Sequence, residues 1–399
     1  MANPGLGPTS IILFIMILIS VIIFIIDILL QWKWYVSTRK RCQENPDRTI
    51  EKGVHSPDRW IEKSVHSVRE FLYDELVAAT GNFSNVIGEG GSGKVYKGTL
   101  SNTDRMVAVK RIKANSDQGK KEFESEVIIN SNILHRNLVK FLGWCHQKDE
   151  FYLVYEYLCG NSLDKYIFGK PRSVLCWVNR YRIACNIASV LHYLHENCPE
   201  TILHRDIKVA NVMLDSNLTA KLGDFGLARK LKPGKEEHTT CQAGSFGYMA
   251  PEILQTGKAT RESDVYSFGA FVLAIACGKQ PADMSTDNPG CSLVKSVWRC
   301  KRDGRIVDAA DEKLKGVFIV EEMERLMSVG LLCCHPDPTE RPTIEKVMAM
   351  LKTNDKLPPI PDDLYGKPLQ LELGSSSVGS SDRSISSVFS TYSHSNATL

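Results

Sequence analysis

The residues that could do chemistry begin with a glycine run, Gly88-Glu89-Gly90-Gly91-Ser92-Gly93-Lys94-Val95, which fits G-x-G-x-x-G-x-V. Glycine lets main-chain amides come close to a bulky anion such as a phosphate. Alone the pattern is weak: with 28 glycines in 399 residues, three fixed glycines arise by chance about once in ten such chains. A dinucleotide-binding turn would need a preceding strand, a following helix and an acidic residue some 20 positions on; strand-like KVYKGTL follows instead. A Walker A loop nearly fits through Gly88, Gly93 and Lys94, but Val95 offers no hydroxyl to a magnesium ion. A glycine-rich flap inside a hairpin, lying over the phosphates of ATP, suits both flanks.

That flap makes further demands, and the chain meets them in order. Val107-Ala108-Val109-Lys110 supplies a strand lysine for the α- and β-phosphates, and Glu126 stands sixteen residues later in a helical stretch. His204-Arg205-Asp206-Ile207-Lys208-Val209-Ala210-Asn211 follows, with Asp224-Phe225-Gly226 beyond it and Ala250-Pro251-Glu252 closing the segment. Jointly these match the protein-kinase signature set. Over roughly residues 83–352 the chain therefore resembles the eukaryotic protein kinases. FLYDELVAATGNFS, SDVYSFG and CCHPDPTERP are similar to plant receptor-like kinases; NVMLDSNLTAKLGDFGLAR and VDAADEKL are most like the L-type lectin receptor kinases.

The resemblance implies a set of roles for phosphoryl transfer, which needs positioning and charge neutralisation more than covalent chemistry. The 88–93 amides cover the phosphates of ATP, and Val95 and Ala108 sandwich the adenine. Lys110, held by Glu126, takes the α/β-phosphates. Asn211 and Asp224 hold Mg²⁺ through hard oxygen ligands. Asp206 accepts the proton of a substrate Ser or Thr hydroxyl, and Lys208, two positions on, stabilises the γ-phosphate in the manner of serine/threonine kinases. Tyr155 stands at the gatekeeper position and the hinge follows at Glu156 to Leu158. Glu252 with Arg341, and Asp264, are implied as structural supports. Arg205 implies control by an activation-loop phosphate, for which Thr239 or Thr240 is the expected acceptor, and Ser245 is expected against the catalytic loop. Two positions depart from the family pattern: Ser92 replaces an aromatic at the flap tip, and Asn130 replaces an aliphatic that packs toward Phe225. A buried amide without a partner costs about 1–3 kcal/mol, so Asn130 is expected to bias its helix toward an inactive position.

The elements that must position these groups are legible in outline. Short β-like runs (Lys94–Tyr96, Met106–Val109, Phe151–Val154) are interrupted by a helical stretch at Gly119–Leu134. Beyond residue 160 helical periodicity dominates, as in Arg180–Glu196. The expected fold is α+β: a bilobal kinase fold with an antiparallel N-lobe sheet plus one helix and a mainly helical C-lobe, attached to a single transmembrane helix.

That span is Ser10–Leu30, with 18 of 21 positions apolar and Asp27 its one charge. At 1.5 Å per residue it reaches roughly 31 Å, the thickness of a hydrocarbon core. The first nine residues carry no charged side chain, and Lys33, Arg39, Lys40 and Arg41 follow the span. A cleaved signal peptide fits poorly, and the positive-inside rule puts the C-terminal side in the cytosol. The expected layout is a short extracytosolic end (1–9), the span (10–30), a juxtamembrane linker (31–82), the kinase domain (83–352) and a tail (353–399). The tail opens LPPIPDD and holds eleven serines in its last 25 residues, a composition unable to bury a core. Nine residues cannot hold a lectin domain, which leaves two expectations at the plasma membrane: a partner receptor that supplies an ectodomain, or a sequence truncated at its N-terminal end.

Composition excludes other classes. A balance of 49 Lys+Arg against 46 Asp+Glu gives +3, which argues for no nucleic-acid partner. Twelve scattered cysteines without a CxxC pair indicate reduced thiols in a cytosolic body. The expected activity is a membrane-anchored, ATP-dependent serine/threonine kinase in receptor-like signalling; the alternative is a weakly active kinase or pseudokinase scaffold, for which Asn130 and Ser92 are the only support.

Overall fold

The structure, a computed structural model, describes residues 68–91, 93–113, 117–147, 150–169, 174–231, 245–282, 292–353 and 355–361. The expected span at 10–30, Ser92, Thr239, Thr240 and the serine-rich segment lie outside them. Among the described residues no helix is long and apolar enough to cross a membrane, and no disulfide joins the described cysteines.

The first half is a six-stranded sheet. In chain order its parts are β1 (Arg69–Glu70), α1 (Tyr73–Thr80), β2 (Val86–Gly90), β3 (Gly93–Leu100), β4 (Arg105–Ile112), α2 (Asp117–Asn130), β5 (Phe141–Gln147) and β6 (Glu150–Glu156). The strand order is β1-β5-β6-β4-β3-β2, antiparallel apart from the β1–β5 pair. Successive side chains of a strand point to opposite faces, and β4 is apolar on both. Val107 and Val109 join Tyr152 and Val154 on one face, where Phe71 and Leu76 cover them. Ala108, Lys110 and Ile112 point to the other, where Ile112 and Leu153 pack with Phe123 and Val127 of α2.

This double burial explains a difference from the expected linker at 31–82. A sheet apolar on both faces needs a cover on each, and the segment from Arg69 to Thr80 supplies the second one. Phe71 and Leu76 are core residues, Phe71 N donates to Trp144 O at 2.8 Å, and Phe83 stacks on Tyr152 at 5.2 Å. Gly143 admits this cover: a Cβ there would lie 2.0 Å from Arg69 O.

The second half is helical, with α3 (Leu163–Ile167), α4 (Trp177–His192) and short strands β7 (Ile202–Leu203), β8 (Val212–Leu214), β9 (Ala220–Leu222) and β10 (Arg229–Lys230). Helices α5 (Pro251–Thr256), α6 (Arg261–Cys277), α7 (Leu293–Arg302), α8 (Val320–Cys333) and α9 (Ile344–Lys352) follow. The helix expected over Arg180–Glu196 begins earlier, at Trp177, and runs on through a π turn at Tyr193–Asn197. Helix α6 is buried nearly all round from Ser263 to Cys277, the mark of a central core helix. It opens on a capping box in which Thr260 and Ser263 satisfy each other's amides. The described body does not stop at residue 352. Leu357 and Ile360 pack against the large helical core, so the first part of the expected tail belongs to the folded unit.

Candidate active site

Between the sheet and the helices lies a cleft of about 520 Å³, open to solvent. Ile87, Val95 and Ala108 form one wall, Val139, Met213 and Gly223 the other, and Tyr155, Glu156, Tyr157 and Leu158 the hinge side; Lys110, Glu126 and Asp224 close the deep end. Strand geometry puts them there. In the β3–β4 ladder Val95 faces Lys110, and in the β4–β6 ladder Ala108 faces Tyr155.

At the deep end a lysine holds two carboxylates. Lys110 Nζ donates to Glu126 Oε1 at 2.7 Å and to Asp224 Oδ1 at 2.8 Å. Burial opposes the ammonium, but the Asp224 and Glu126 carboxylates outweigh it and hold the Lys110 pKa above the usual lysine range. For Asp224 burial also opposes charge, yet the Lys110 ammonium prevails and lowers its pKa to about 2. Glu126 moves the other way, raised by burial more than Lys110 lowers it. Gly226 lets the chain pass close to this carboxylate, since a Cβ there would meet Glu126 Oε1 at 3.2 Å.

Tyr155 extends the chain of contacts. Its hydroxyl donates to Glu126 Oε2, and Asn130 Nδ2 approaches the same hydroxyl at 3.5 Å. Asn130 is buried, 7% exposed, as expected. Its amide is not stranded, however, and helix α2 sits with Glu126 on Lys110. The structure thus gives Asn130 a polar neighbour, the Tyr155 hydroxyl, where the sequence alone suggests a stranded amide.

The 204–211 loop adjoins the cleft. Asn211 Nδ2 donates to Asp206 O and Oδ2, each at 2.9 Å, which leaves the amide oxygen as the atom that could face a cation. Lys208 Nζ lies 2.8 Å from Asp206 Oδ2. Ser245 Oγ accepts from Lys208 Nζ and donates to Asp206 Oδ1, both at 2.9 Å, so Ser245 does contact this loop. Arg205 and Asp224 adopt left-handed backbone, φ 69° and 62°, a conformation that persists only where neighbours impose it. Asp264 does so for the loop: its carboxylate accepts from the amides of His204 and Arg205, each at 2.8 Å. His204 stacks edge-on against Phe225 at 4.7 Å, and Arg341 holds Glu252 bidentately at 2.6 and 2.8 Å, as a structural pair.

Several expected positions sit differently from the rest. Gly88, Glu89, Gly90 and Gly93 form the β2–β3 hairpin ladder, with Gly91 at its turn. The cleft wall, though, is made by Ile87 and Val95 to either side. Glu89 is exposed and pairs with Lys94 at 3.3 Å. The Glu156 carboxylate accepts from Lys140 N and Lys221 Nζ, both through Oε1. Val139, Met213 and the Tyr155–Glu126 contact were missed from the sequence. Met213 had a signal: it alternates between the buried Val212 and Leu214 of β8, so it must face the other way.

A family profile described as "Protein kinase domain" matches residues 82–351. The chain belongs to the protein kinase family. It is 47% identical over 298 residues to the L-type lectin-domain containing receptor kinase IX.1 of Arabidopsis thaliana, covering 73% of this chain and 46% of that protein. It is 37% identical over 376 residues to the receptor kinase IV.3 of the same family and plant, 91% of this chain and 54% of that protein. The rice relative SIT1 is 43% identical over 294 residues, covering 73% of this chain and 43% of its own. The kinase chain thus spans about half the length of the curated relatives it matches.

A protein kinase domain implies ATP and a divalent cation, and the cleft suits both. Its walls are apolar where a purine would lie, and its deep end offers one buried ammonium and an ionised carboxylate. Among the described residues no group of three His, Cys, Asp or Glu could hold a metal. A cation here would rest on two protein oxygens, from Asn211 and Asp224, and complete its shell from phosphate and water.

Proposed function

We propose that this protein is an ATP-dependent serine/threonine protein kinase anchored in the plasma membrane by residues 10–30, with its kinase domain in the cytosol, acting in receptor-like signalling. The observation that carries the catalytic part is the joined set Glu126–Lys110–Asp224, ion-paired at 2.7 and 2.8 Å beside an Asp206 bound to Asn211 and Lys208. In this reading Lys110 takes the α/β-phosphates and the 88–93 turn covers them. Asn211 and Asp224 would hold Mg²⁺, which when bound neutralises phosphate charge. Asp206 Oδ1, now satisfied by Ser245 Oγ, is the atom offered to the hydroxyl of the protein substrate. Lys208, held between Asp206 and Ser245, offers a second positive charge to the transferred group. Asn211 and Lys208 fix the Asp206 carboxylate before substrate arrives, which is the positioning that this chemistry requires. Anchorage rests on the length and flanking charge of the apolar run, and the partner receptor on the likeness to lectin receptor kinases.

Radiolabelled phosphate transfer to a generic protein acceptor, followed by phosphoamino-acid analysis, tests the reading. Wild type labels serine or threonine, and Asp206→Asn lowers the rate by about 10²–10⁴-fold, the range for a positioned acid or base. Absence of labelling by wild type would leave only the scaffold alternative, and equal labelling by wild type and Asp206→Asn would refute the role given to Asp206.

A further inference from the structure

After α9 the chain runs Asp355-Lys356-Leu357-Pro358-Pro359-Ile360-Pro361, outside the kinase match at 82–351 and in neither helix nor strand. Three of these seven residues are proline, which locks φ near −65°. Leu357, Pro358 and Ile360 each precede a proline, which pushes them toward extended backbone. Such a segment favours a polyproline II helix with three residues per turn. Leu357 and Ile360, three apart, then point to the same side, and these two are the ones packed on the helical core. Pro358, Pro359 and Pro361 are exposed.

The surface beneath is built to read such a segment. Proline has no N–H, so a proline-rich strand is recognised through its carbonyls and its apolar side chains. Trp298 Nε1, from α7, donates to Pro361 O at 3.2 Å. Arg325, from α8, donates Nη2 to Asp355 O at 2.9 Å and Nη1 to Met350 O, near the end of α9, at 3.1 Å. Both ends of the strap are gripped by donors from two different helices, with the apolar pair seated between them. The Arg302 guanidinium lies over the Trp298 ring, 5.3 Å from its centroid, and steadies the indole.

We propose that this groove, marked by Trp298 and Arg325, is a binding site for extended proline segments with two aliphatics three residues apart, and that residues 355–361 are its resident ligand in cis. The groove is a recognition surface separate from the ATP cleft, and the strap competes for it with any peptide of the same pattern in trans.

The test titrates a fluorescently labelled peptide of residues 355–361 against the full chain and against the full chain carrying Leu357→Asp with Ile360→Asp. A short tether gives the strap an effective concentration on the order of millimolar. The peptide therefore binds the double variant at least about tenfold more tightly than wild type, whose groove is filled. Adding Trp298→Phe, which keeps a ring but removes the indole donor, or Arg325→Gln, lowers affinity again, by about tenfold for the charged donor. Equal binding to wild type and double variant overturns the assignment. So does equal binding of a control peptide with both aliphatics changed to Asp, or insensitivity to both donor substitutions. Unchanged phosphotransfer in the double variant shows that the chain is still folded and that the groove is distinct from the catalytic cleft.

Discussion

Tyr155→Phe tests the deep end of the cleft most sharply, because one hydroxyl serves two buried partners. Its removal takes a donor from Glu126 Oε2 and an acceptor from Asn130 Nδ2. A hydrogen bond to a charged group contributes about 1.5–3 kcal/mol, and stranding a buried amide costs about 1–3 kcal/mol. Glu126 keeps Lys110 at 2.7 Å, and the 3.5 Å contact of Asn130 is long, so both lower ends apply and the loss is about 2–3 kcal/mol. Asn130→Leu alone gives up only that long contact and gains apolar burial, so it changes stability by less than about 1 kcal/mol. In the Tyr155→Phe background the same change removes a stranded amide and recovers about 1–2 kcal/mol. Chemical denaturation of the four chains measures the coupling. Effects that add within about 0.5 kcal/mol would mean that Asn130 and Tyr155 do not interact, and the reasoning fails. Phosphotransfer gives a second readout: Asn130→Leu stays within about twofold of wild type, because α2 already sits on Lys110 and there is little of the helix equilibrium left to shift. A several-fold rise would restore the stranded-amide reading that the sequence alone suggests.

Two further outcomes follow from the packing and the buried charge. Leu76→Ala, in α1, opens a cavity under the outer face of the sheet and lowers stability by about 2–5 kcal/mol; a change below about 0.5 kcal/mol would show that residues 69–80 are not part of the folded body. His204 is buried, with Nε2 3.2 Å from Gly223 O and Nδ1 accepting from Asp206 N at 3.3 Å, and burial lowers its pKa. A folded pKa below the unfolded value of about 6.5 means that the unfolded chain binds the proton first. Stability contributed by neutral His204 is thus complete above about pH 6.5 and declines as pH falls below it. Denaturation midpoints at pH 7.5 and 5.5 should show that decline, and His204→Phe, which cannot titrate, should flatten it.

The candidate catalytic positions are legible as a set because phosphoryl transfer would constrain residue type and spacing at once. Lys110, Glu126, Asp206, Asn211 and Asp224 each come from a short pattern whose order a chain of this kind cannot easily rearrange. The two lobes were readable too, since period-2 runs precede period-3.6 runs. Boundaries were less so: the helix expected over Gly119–Leu134 ends at Asn130.

What sequence spacing cannot carry is contact between residues far apart in the chain. Asn130 reads as a stranded amide until Tyr155, 25 residues on, is brought to 3.5 Å across the α2–β6 interface. Residues 69–80 read as the end of a linker because they continue a charged stretch with few large aliphatics; the sheet face they cover is assembled from strands as distant as Val154. The proline strap reads as the start of a tail, since prolines and acids bury no core by themselves, until Trp298 and Arg325 meet its carbonyls. The sequence by itself determined the family and the candidate chemistry, which are written in local motifs. Tertiary structure decided which polar groups have partners and where the folded body begins and ends, because hydrogen-bond satisfaction and burial are properties of the packed chain and of no single segment.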